Sequence, residues 1–212
     1  TKAIGDAEIF ARKMAKETEG KTSLRLFSCG GDGTFNEILN GIMGFSHAEV
    51  GAIPIGTGND YVKNFPEAGD FFDIKSQLTG KSRYSDIIKY SGICSGKEKT
   101  RYCGNMFNIG FDSNVVDLTA KLKGYPMIGG SLAYLLAVIG TLIKKKGTHL
   151  KIDVDGEVAE DGYLLLCAVA NGSYCGGGIK SSPQAEIDDG YFDINVIYDV
   201  SRITFLKFFP KY

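Results

Sequence analysis

Hydrophobic residues recur at helix-like and strand-like spacings in the first 60 positions of the chain. Residues 5–18 carry apolar side chains every three or four positions, which predicts an amphipathic helix. An apolar run at 24–28 predicts a strand, while 35–42 and 50–55 predict a second helix and a second strand. This alternation is typical of an α/β domain with a parallel sheet, and because a helix comes first, we expect the first strand of the series to be missing.

Longer β-type segments dominate the chain after residue 83. They lie at 84–90, 101–109, 150–154, 163–169 and 191–197. Such a series favours an antiparallel, sandwich-like sheet. Helices are predicted at 114–123, 131–146 and 203–209. We therefore predict an α/β domain at 1–88 and a β-rich domain at 89–212, each truncated at one chain end.

Two glycine-rich turns follow the two predicted strands of the α/β domain. The first contains Gly30, Gly31, Asp32, Gly33, Thr34, Phe35 and Asn36, and the second contains Gly56, Thr57, Gly58, Asn59 and Asp60. Adjacent glycines permit backbone conformations that a Cβ forbids, and the free N–H groups of the following helix can bind an anion. Parallel strands end at one edge of a sheet, where α/β proteins bind ligands. We predict a phosphate site there, in which Asp32 can hold a metal or take a proton.

The two common glycine-rich phosphate motifs do not fit these turns. A P-loop needs a glycine five positions before its Gly-Lys-Ser/Thr, but Ala15 and Lys75 occupy that position before the two such tripeptides. A dinucleotide pattern read from either turn would need its last glycine at Asn36 or Tyr61. The turns therefore need a third kind of nucleotide site.

Composition narrows the class of protein. Lysine and arginine total 24 and aspartate and glutamate total 25, so no basic excess favours nucleic acid as a partner. Five cysteines without close paired spacing favour a reducing compartment, and two distant histidines make a zinc site unexpected. Neither a membrane-spanning segment nor a signal peptide is predicted, and we expect a cytoplasmic protein.

Taken together, the two turns resemble the nucleotide site of the diacylglycerol kinase catalytic-domain family, which is similar to sphingosine kinases, NAD kinases and phosphofructokinases. Further blocks in family order lie at 1–7, 107–112, 170–172, 176–178 and 183–192. The resemblance implies an NAD kinase-like and phosphofructokinase-like nucleotide-binding domain, followed by the β-rich domain. It also implies that ATP and Mg²⁺ bind here, that both turns and Thr1 contact the nucleotide, and that Asp32 is catalytic beside the γ-phosphate.

By the same resemblance, the protein is an ATP-dependent lipid kinase that phosphorylates a hydroxyl of diacylglycerol or a related lipid. We then expect transient contact with the inner face of the membrane. The alternatives are an NAD kinase-like enzyme and a non-catalytic nucleotide-binding regulator. The three lysines at 144–146 suit contact with anionic lipid, although the end of a core helix is the preferred interpretation. A homodimer stays open, because no motif decides the oligomeric state.

Residues 186–191 resemble the structural Mg²⁺ loop of the family. By that resemblance Asp189 supplies its carboxylate, while Glu186 and Tyr191 supply main-chain carbonyl groups. Hard cations prefer such oxygen ligands. Spacing alone favours a β-turn, because Asp-Asp-Gly before an alternating strand is a hairpin signal. Asp60 also has an alternative role, as the cap of a short helix.

Asp155, Gly156 and Glu157 resemble the Asp-Gly-Glu that supplies the proposed general base in bacterial members of the family. The family places that motif after the metal loop, whereas here it comes well before Asp189. We therefore interpret it as a hairpin turn. The family position falls beyond Tyr212, so either the chain is a fragment or its general base lies elsewhere, and we expect a truncated chain.

Overall fold

The computed structural model describes most of the chain. The described residues are 1–66, 68–94, 96–123, 136, 137, 140, 141, 147–201 and 204. Contacts divide the chain into two compact units, the first made of Thr1–Met106 with Ala170–Asp193 and the second of Phe107–Val169 with Ile194–Tyr212. The predicted boundary between residues 88 and 89 stays a prediction.

An α/β layer in the first unit confirms the predicted fold class of the N-terminal region. Its elements are α1 (Asp6–Thr18), β1 (Leu24–Gly30), α2 (Asp32–Ile42) and β2 (Ala48–Pro54). β1 and β2 pair in parallel, and the register joins Gly30 to Pro54 at their carboxyl ends. Both glycine-rich turns therefore start at the same edge of the sheet.

Small residues allow α1 and α2 to pack closely. The buried cluster between them contains Ala7, Ala11, Ile38 and Ile42. A Cβ added to Gly41 of α2 would lie 2.6 Å from the carbonyl oxygen of Glu8 and 2.7 Å from the Cβ of Ala11. The absence of a side chain at Gly41 is thus a condition of this helix contact.

The rest of the first unit consists of short elements. A 3₁₀ turn at Tyr61–Asn64 follows the second glycine-rich turn, and another at Ala68–Phe72 precedes α3 (Ile74–Thr79). β3 (Ile88–Cys94) pairs with β4 (Lys97–Cys103), and β8 (Tyr174–Cys175) pairs with β9 (Ile179–Lys180), each in an antiparallel hairpin. Apart from the short helix considered after Asp60, the sequence pattern predicts none of the helical turns between 61 and 79, because each is too short to show a helical period.

A β-rich sheet in the second unit confirms the predicted class of the C-terminal region. Its strands are β5 (Met106–Gly110), β6 (Thr148–Val154), β7 (Glu157–Ala170) and β10 (Asp193–Tyr198). β7 is the central strand of this sheet, because each of the other three pairs with it. The helix α4 (Phe111–Lys123) contributes Phe111 and Val115 to a core that also holds Ala137 and Leu165.

The turn between β6 and β7 settles the role of the Asp-Gly-Glu sequence. Val154 pairs with Glu157, so only Asp155 and Gly156 form the loop. Both loop residues have positive φ, 52° and 91° respectively, as a type I′ turn requires. The hairpin interpretation is therefore confirmed.

One predicted strand is interrupted in the structure. The segment 101–109 divides into β4 and β5, because the carbonyl group of Asn105 accepts hydrogen bonds from the N–H groups of Asn171 and Gly172 and not from a neighbouring strand. The predicted helices at 131–146 and 203–209 lie mostly outside the described residues. Within the described part of the chain, no helix combines the length and apolar character that crossing a membrane requires.

Replacing Gly41 with alanine tests the contact between α1 and α2. We expect Gly41→Ala to lower the free energy of unfolding by about 1–3 kcal/mol, because the added methyl group overpacks the contact although alanine is the better helix former. Gly33→Ala in the same helix is the matched control, since a Cβ there meets no atom within 4 Å. Chemical denaturation measures both variants, and an undiminished stability of Gly41→Ala would contradict the close packing.

Candidate active site

The two glycine-rich turns touch through their glycines. A Cβ added to Gly56 would lie 2.6 Å from the backbone nitrogen of Gly31. A Cβ added to Gly31 would lie 3.3 Å from the Cα of Gly56. The structure therefore brings the two predicted turns together; a side chain at Gly56 would prevent this approach, and one at Gly31 would make it tight.

The first turn exposes the N-terminus of α2. Gly31 is the N-cap of this helix and offers no side chain to its first N–H groups. Thr34, in the first turn of the helix, folds back over Gly30, where its Oγ1 lies 2.6 Å from the position of an added Cβ. Unpaired N–H groups and the positive end of the helix dipole together favour an anion at this place.

Asn59 holds the second turn in its shape. Its φ of 55° lies in the left-handed region, which asparagine tolerates better than most residues. Its Oδ1 accepts a hydrogen bond from the N–H of Gly56 at 3.1 Å. Its Nδ2 donates to the carbonyl groups of Pro54 at 2.9 Å and Gly56 at 2.8 Å. One side chain thus fixes the backbone that meets Gly31.

Asp32 connects the two turns. Its Oδ1 accepts a hydrogen bond from the N–H of Tyr61 at 3.0 Å. Its Oδ2 lies 3.0 Å from the position of a Cβ added to Gly58. The ring of Tyr61 stacks on Phe35 with a centroid distance of 4.2 Å, and burial raises the pKa of the Tyr61 phenol. The carboxylate of Asp32 therefore lies in a defined position at the start of α2.

Asp60 lies between a lysine and a loop of three glycines. It is only 7% exposed. Its Oδ1 lies 3.0 Å from the Nζ of Lys63, and its Oδ2 accepts a hydrogen bond from the N–H of Gly177 at 2.9 Å. Asp60 occupies the N-cap position of the 3₁₀ turn that follows, as the alternative role expects, but its side chain makes no capping bond.

Asparagine side chains tie the second turn to the loop at 171–178. The Nδ2 of Asn64 donates to the Oδ1 of Asn105 at 3.1 Å, and the Oδ1 of Asn64 accepts from the N–H of Ser173 at 2.7 Å. The Nδ2 of Asn171 donates to the carbonyl oxygen of Asp86 at 2.8 Å. Asn171 is fully buried, and its Nδ2 also donates to the carbonyl oxygen of Gly104 at 3.0 Å, whereas its Oδ1 has no hydrogen-bond partner among the described residues.

The predicted metal loop contacts Asp86. The N–H of Gly190 donates to the Oδ2 of Asp86 at 2.8 Å, and the Oδ1 of Asp189 accepts from the N–H of Tyr191 at 2.9 Å. Glu186, Asp189 and Tyr191 are all exposed. No group of three or more His, Cys, Asp or Glu side chains that could hold a metal occurs in the described ranges. The predicted set of metal ligands has a single carboxylate beside two main-chain carbonyl groups, and this metal site stays a prediction.

Thr1 lies at a cavity that reaches the first turn. The cavity has a volume of about 670 Å³ and borders Thr1, Cys29 and Thr34. Phe10 and Ile38 form part of its apolar wall. The structure therefore places Thr1 on the same cavity as one residue of the predicted nucleotide site.

The carboxylates of the site suit a metal ion that is bound jointly with phosphate. Mg²⁺ usually takes one or two carboxylates from the protein and further oxygens from substrate phosphates. Both oxygens of Asp60 are engaged by Lys63 and Gly177. The Oδ2 of Asp32 has no hydrogen-bond donor among the described residues, and the Oδ1 of Asn36 in the same turn is buried without a partner there. Asp32 is therefore the carboxylate that fits such an ion.

Sequence reasoning missed Lys63, Asn64 and Asp86. A lysine three positions after Asp60 is the spacing of an ion pair within a helical turn, so this signal was present. Asp86 gives no comparable signal, because Gly190, whose N–H donates to its carboxylate, is 104 positions away.

Comparison with known proteins divides the chain into two matching regions. Residues 1–90 match the diacylglycerol kinase catalytic domain, and residues 105–212 match the YegS C-terminal NAD kinase beta sandwich-like domain. The chain belongs to the diacylglycerol kinase catalytic-domain family. Membership in this family confirms the resemblance drawn from the two turns and the NAD kinase-like fold that it implied.

Relatives from two genera illustrate the match. Diacylglycerol kinases of Staphylococcus aureus strains JH9 and Newman are 32% identical over 200 residues, which cover 93% of this chain and 58% of each relative. This chain thus spans about three fifths of the length of the curated relatives it matches. A crystal structure from Bacillus anthracis strain Sterne, of a protein assigned as a diacylglycerol kinase, is 26% identical and has a TM-score of 0.69. That comparison covers 100% of this chain and 67% of the other.

Two variants of Asn59 distinguish the contribution of its side-chain hydrogen bonds to stability from that of its backbone conformation. We expect Asn59→Gly to lower the free energy of unfolding by about 1–3 kcal/mol, because glycine keeps the left-handed backbone but loses the bonds to Pro54 and Gly56. Asn59→Ala loses the same bonds and is also strained, so we expect a further loss of about 1 kcal/mol. Urea denaturation checks the order of the three proteins; equal stability of wild type and Asn59→Gly would contradict the role of the side chain.

Proposed function

We propose that this protein is an ATP-dependent lipid kinase that transfers the γ-phosphate to a hydroxyl group of diacylglycerol or a related lipid alcohol. The main support for the proposal is the contact of Gly31 with Gly56, which brings the second turn to the N-terminus of α2, where the carboxylate of Asp32 lies. Membership in the family and the similarity to diacylglycerol kinases support the lipid as acceptor. The proposal includes transient contact with the membrane surface, where such an acceptor lies.

The residues of the two turns can supply what phosphoryl transfer requires. This reaction depends mainly on positioning and on compensation of negative charge, with little covalent chemistry for the protein to perform. The N–H groups at the start of α2 would bind phosphate oxygens of ATP. Gly33 leaves the approach to these groups open, since a Cβ there would meet no atom within 4 Å.

Asp32 has the central chemical role in this proposal. The N–H of Tyr61 holds one carboxylate oxygen at 3.0 Å, so the other keeps a fixed direction. That second oxygen would bind Mg²⁺ or accept the proton of the acceptor hydroxyl group. When bound, Mg²⁺ would supply positive charge that offsets the charge on the phosphoryl oxygens.

Incubation with labelled ATP tests the reaction and its acceptor. The protein is expressed from its complete gene. Diacylglycerol, other lipid alcohols and NAD are tested as acceptors in parallel reactions. We expect labelled lipid phosphate and no labelled NADP. Labelled NADP alone would support an NAD kinase-like enzyme. Micromolar binding of ATP without any transfer, under conditions where a control kinase is active, would support a nucleotide-binding regulator and refute the proposal.

Replacing Asp32 tests the role of its carboxylate. We expect Asp32→Asn to lower kcat about 100-fold or more, because the neutral amide neither binds a cation well nor accepts a proton, while ATP binding is largely retained. Asp155→Asn is the matched control: it changes the same type of residue in the hairpin turn, where asparagine also tolerates a φ of 52°, and should leave kcat unchanged. Undiminished turnover of Asp32→Asn would refute the assignment.

A further inference from the structure

Lys63 stabilises the second glycine-rich turn through two hydrogen bonds. It lies in the 3₁₀ turn that directly follows Asp60. Its Nζ donates to the carbonyl oxygen of Gly58 at 2.7 Å and to the Oδ1 of Asp60 at 3.0 Å. The side chain of Asp60 is only 10% exposed, and that of Lys63 is 32% exposed. One ammonium group thus connects the backbone of the turn with a carboxylate that is almost removed from water.

The glycine loop at 176–178 closes around the same pair. The N–H of Gly177 donates to the Oδ2 of Asp60 at 2.9 Å. A Cβ added to Gly178 would lie 3.0 Å from the Nζ of Lys63 and 3.6 Å from its Cε. Gly176 and Gly177 face no such restriction, because an added Cβ would meet only Ile179 at 3.5 Å or no atom within 4 Å. A side chain at Gly178 would therefore crowd the ammonium group, in addition to the backbone strain that its φ of 117° would impose on any other residue.

Asp60 depends on this ammonium group for its position. Breaking a buried ion pair by removing one partner leaves a charge without compensation, which is far less favourable than the pair itself. Without Lys63, the carboxylate would keep the single N–H of Gly177 and would gain by turning toward water. The turn that contains Gly56 and Gly58 would at the same time lose the hydrogen bond from Lys63 to the carbonyl oxygen of Gly58.

We propose that Lys63 is a positioning residue for the phosphoryl transfer: it holds Asp60 and the second turn against the first turn, and a side chain at position 178 would crowd its ammonium group. This inference rests on the proposed function, because its decisive readout is turnover. It concerns the alignment of groups around the nucleotide and assigns Lys63 no step of its own in the chemistry.

Substitution of Lys63 separates alignment from binding. We expect Lys63→Met, which keeps the stem but loses the charge and the donor, to lower kcat by roughly 10- to 100-fold. The KM for ATP should change by less than about 3-fold, because the lost interaction acts mainly on the aligned transition state. Lys63→Arg restores a charged donor and should recover most of the loss. Lys89→Met, at an exposed lysine of β3, is the control and should behave as wild type.

A double-mutant cycle tests the coupling between Lys63 and Gly178. Gly178→Ala should lower kcat about 10-fold in the wild-type background, and the further loss should be markedly smaller in a Lys63→Ala background, where the ammonium group is absent. The backbone strain at Gly178, whose φ is 117°, is common to both backgrounds and cancels in the cycle. Gly176→Ala, at a φ of 63° and with room for the methyl group, should show no dependence on residue 63. Equal losses from Gly178→Ala in both backgrounds would overturn the coupling.

The outcomes distinguish this inference from the proposed function. If wild type transfers phosphate and Lys63→Met does so at the same rate, the inference is overturned and the proposed function stands. If wild type transfers none to any acceptor, both are overturned. Thermal unfolding accompanies each rate measurement. If Lys63→Met does not fold, Lys63→Gln replaces it, because its amide can still donate to the carbonyl group of Gly58 while the charge is absent.

Discussion

The backbones of Gly31 and Gly56 approach so closely that a Cβ on either residue would meet the other. Parallel pairing of β1 and β2 makes this approach possible, because Gly30 and Pro54 end the two strands side by side. The side chain of Asn59 then holds the second backbone in place. Beside this contact, the 3₁₀ turn that follows the second glycine-rich turn reaches the start of α2, where the N–H of Tyr61 donates to the carboxylate of Asp32.

Two carboxylates of the site have different surroundings and therefore different capacities. Asp60 is almost buried and both of its oxygens are engaged, by an ammonium group and by a backbone N–H. Asp32 accepts one hydrogen bond, which leaves its second oxygen available. A paired carboxylate stabilises the arrangement around it, whereas a partly paired one can bind a cation or accept a proton. The structure thus separates a residue suited to chemistry from one suited to support.

Local signals predicted the parallel pair and its two turns, because apolar runs that end in glycine are readable within a short window of sequence. The hairpin at Asp155 and Gly156 was predictable for the same reason, since a two-residue Asp-Gly loop determines its own backbone conformation. Contacts over long separations gave no such signal. Gly177 reaches Asp60 across 117 positions, and the break between β4 and β5 depends on hydrogen bonds from Asn171 and Gly172. Neither could be read from neighbouring residues.

Backbone amide chemical shifts on titration with Mg²⁺ and ATP test most directly whether the two turns form one nucleotide site. The account predicts large shifts at the N–H groups of Gly31, Gly33 and Thr34 together with those of Gly56 and Gly58, saturating with a single dissociation constant. The N–H groups of the β6–β7 hairpin around Gly156 should not move. Shifts confined to one turn, or saturating at different ATP concentrations in the two turns, would contradict the account.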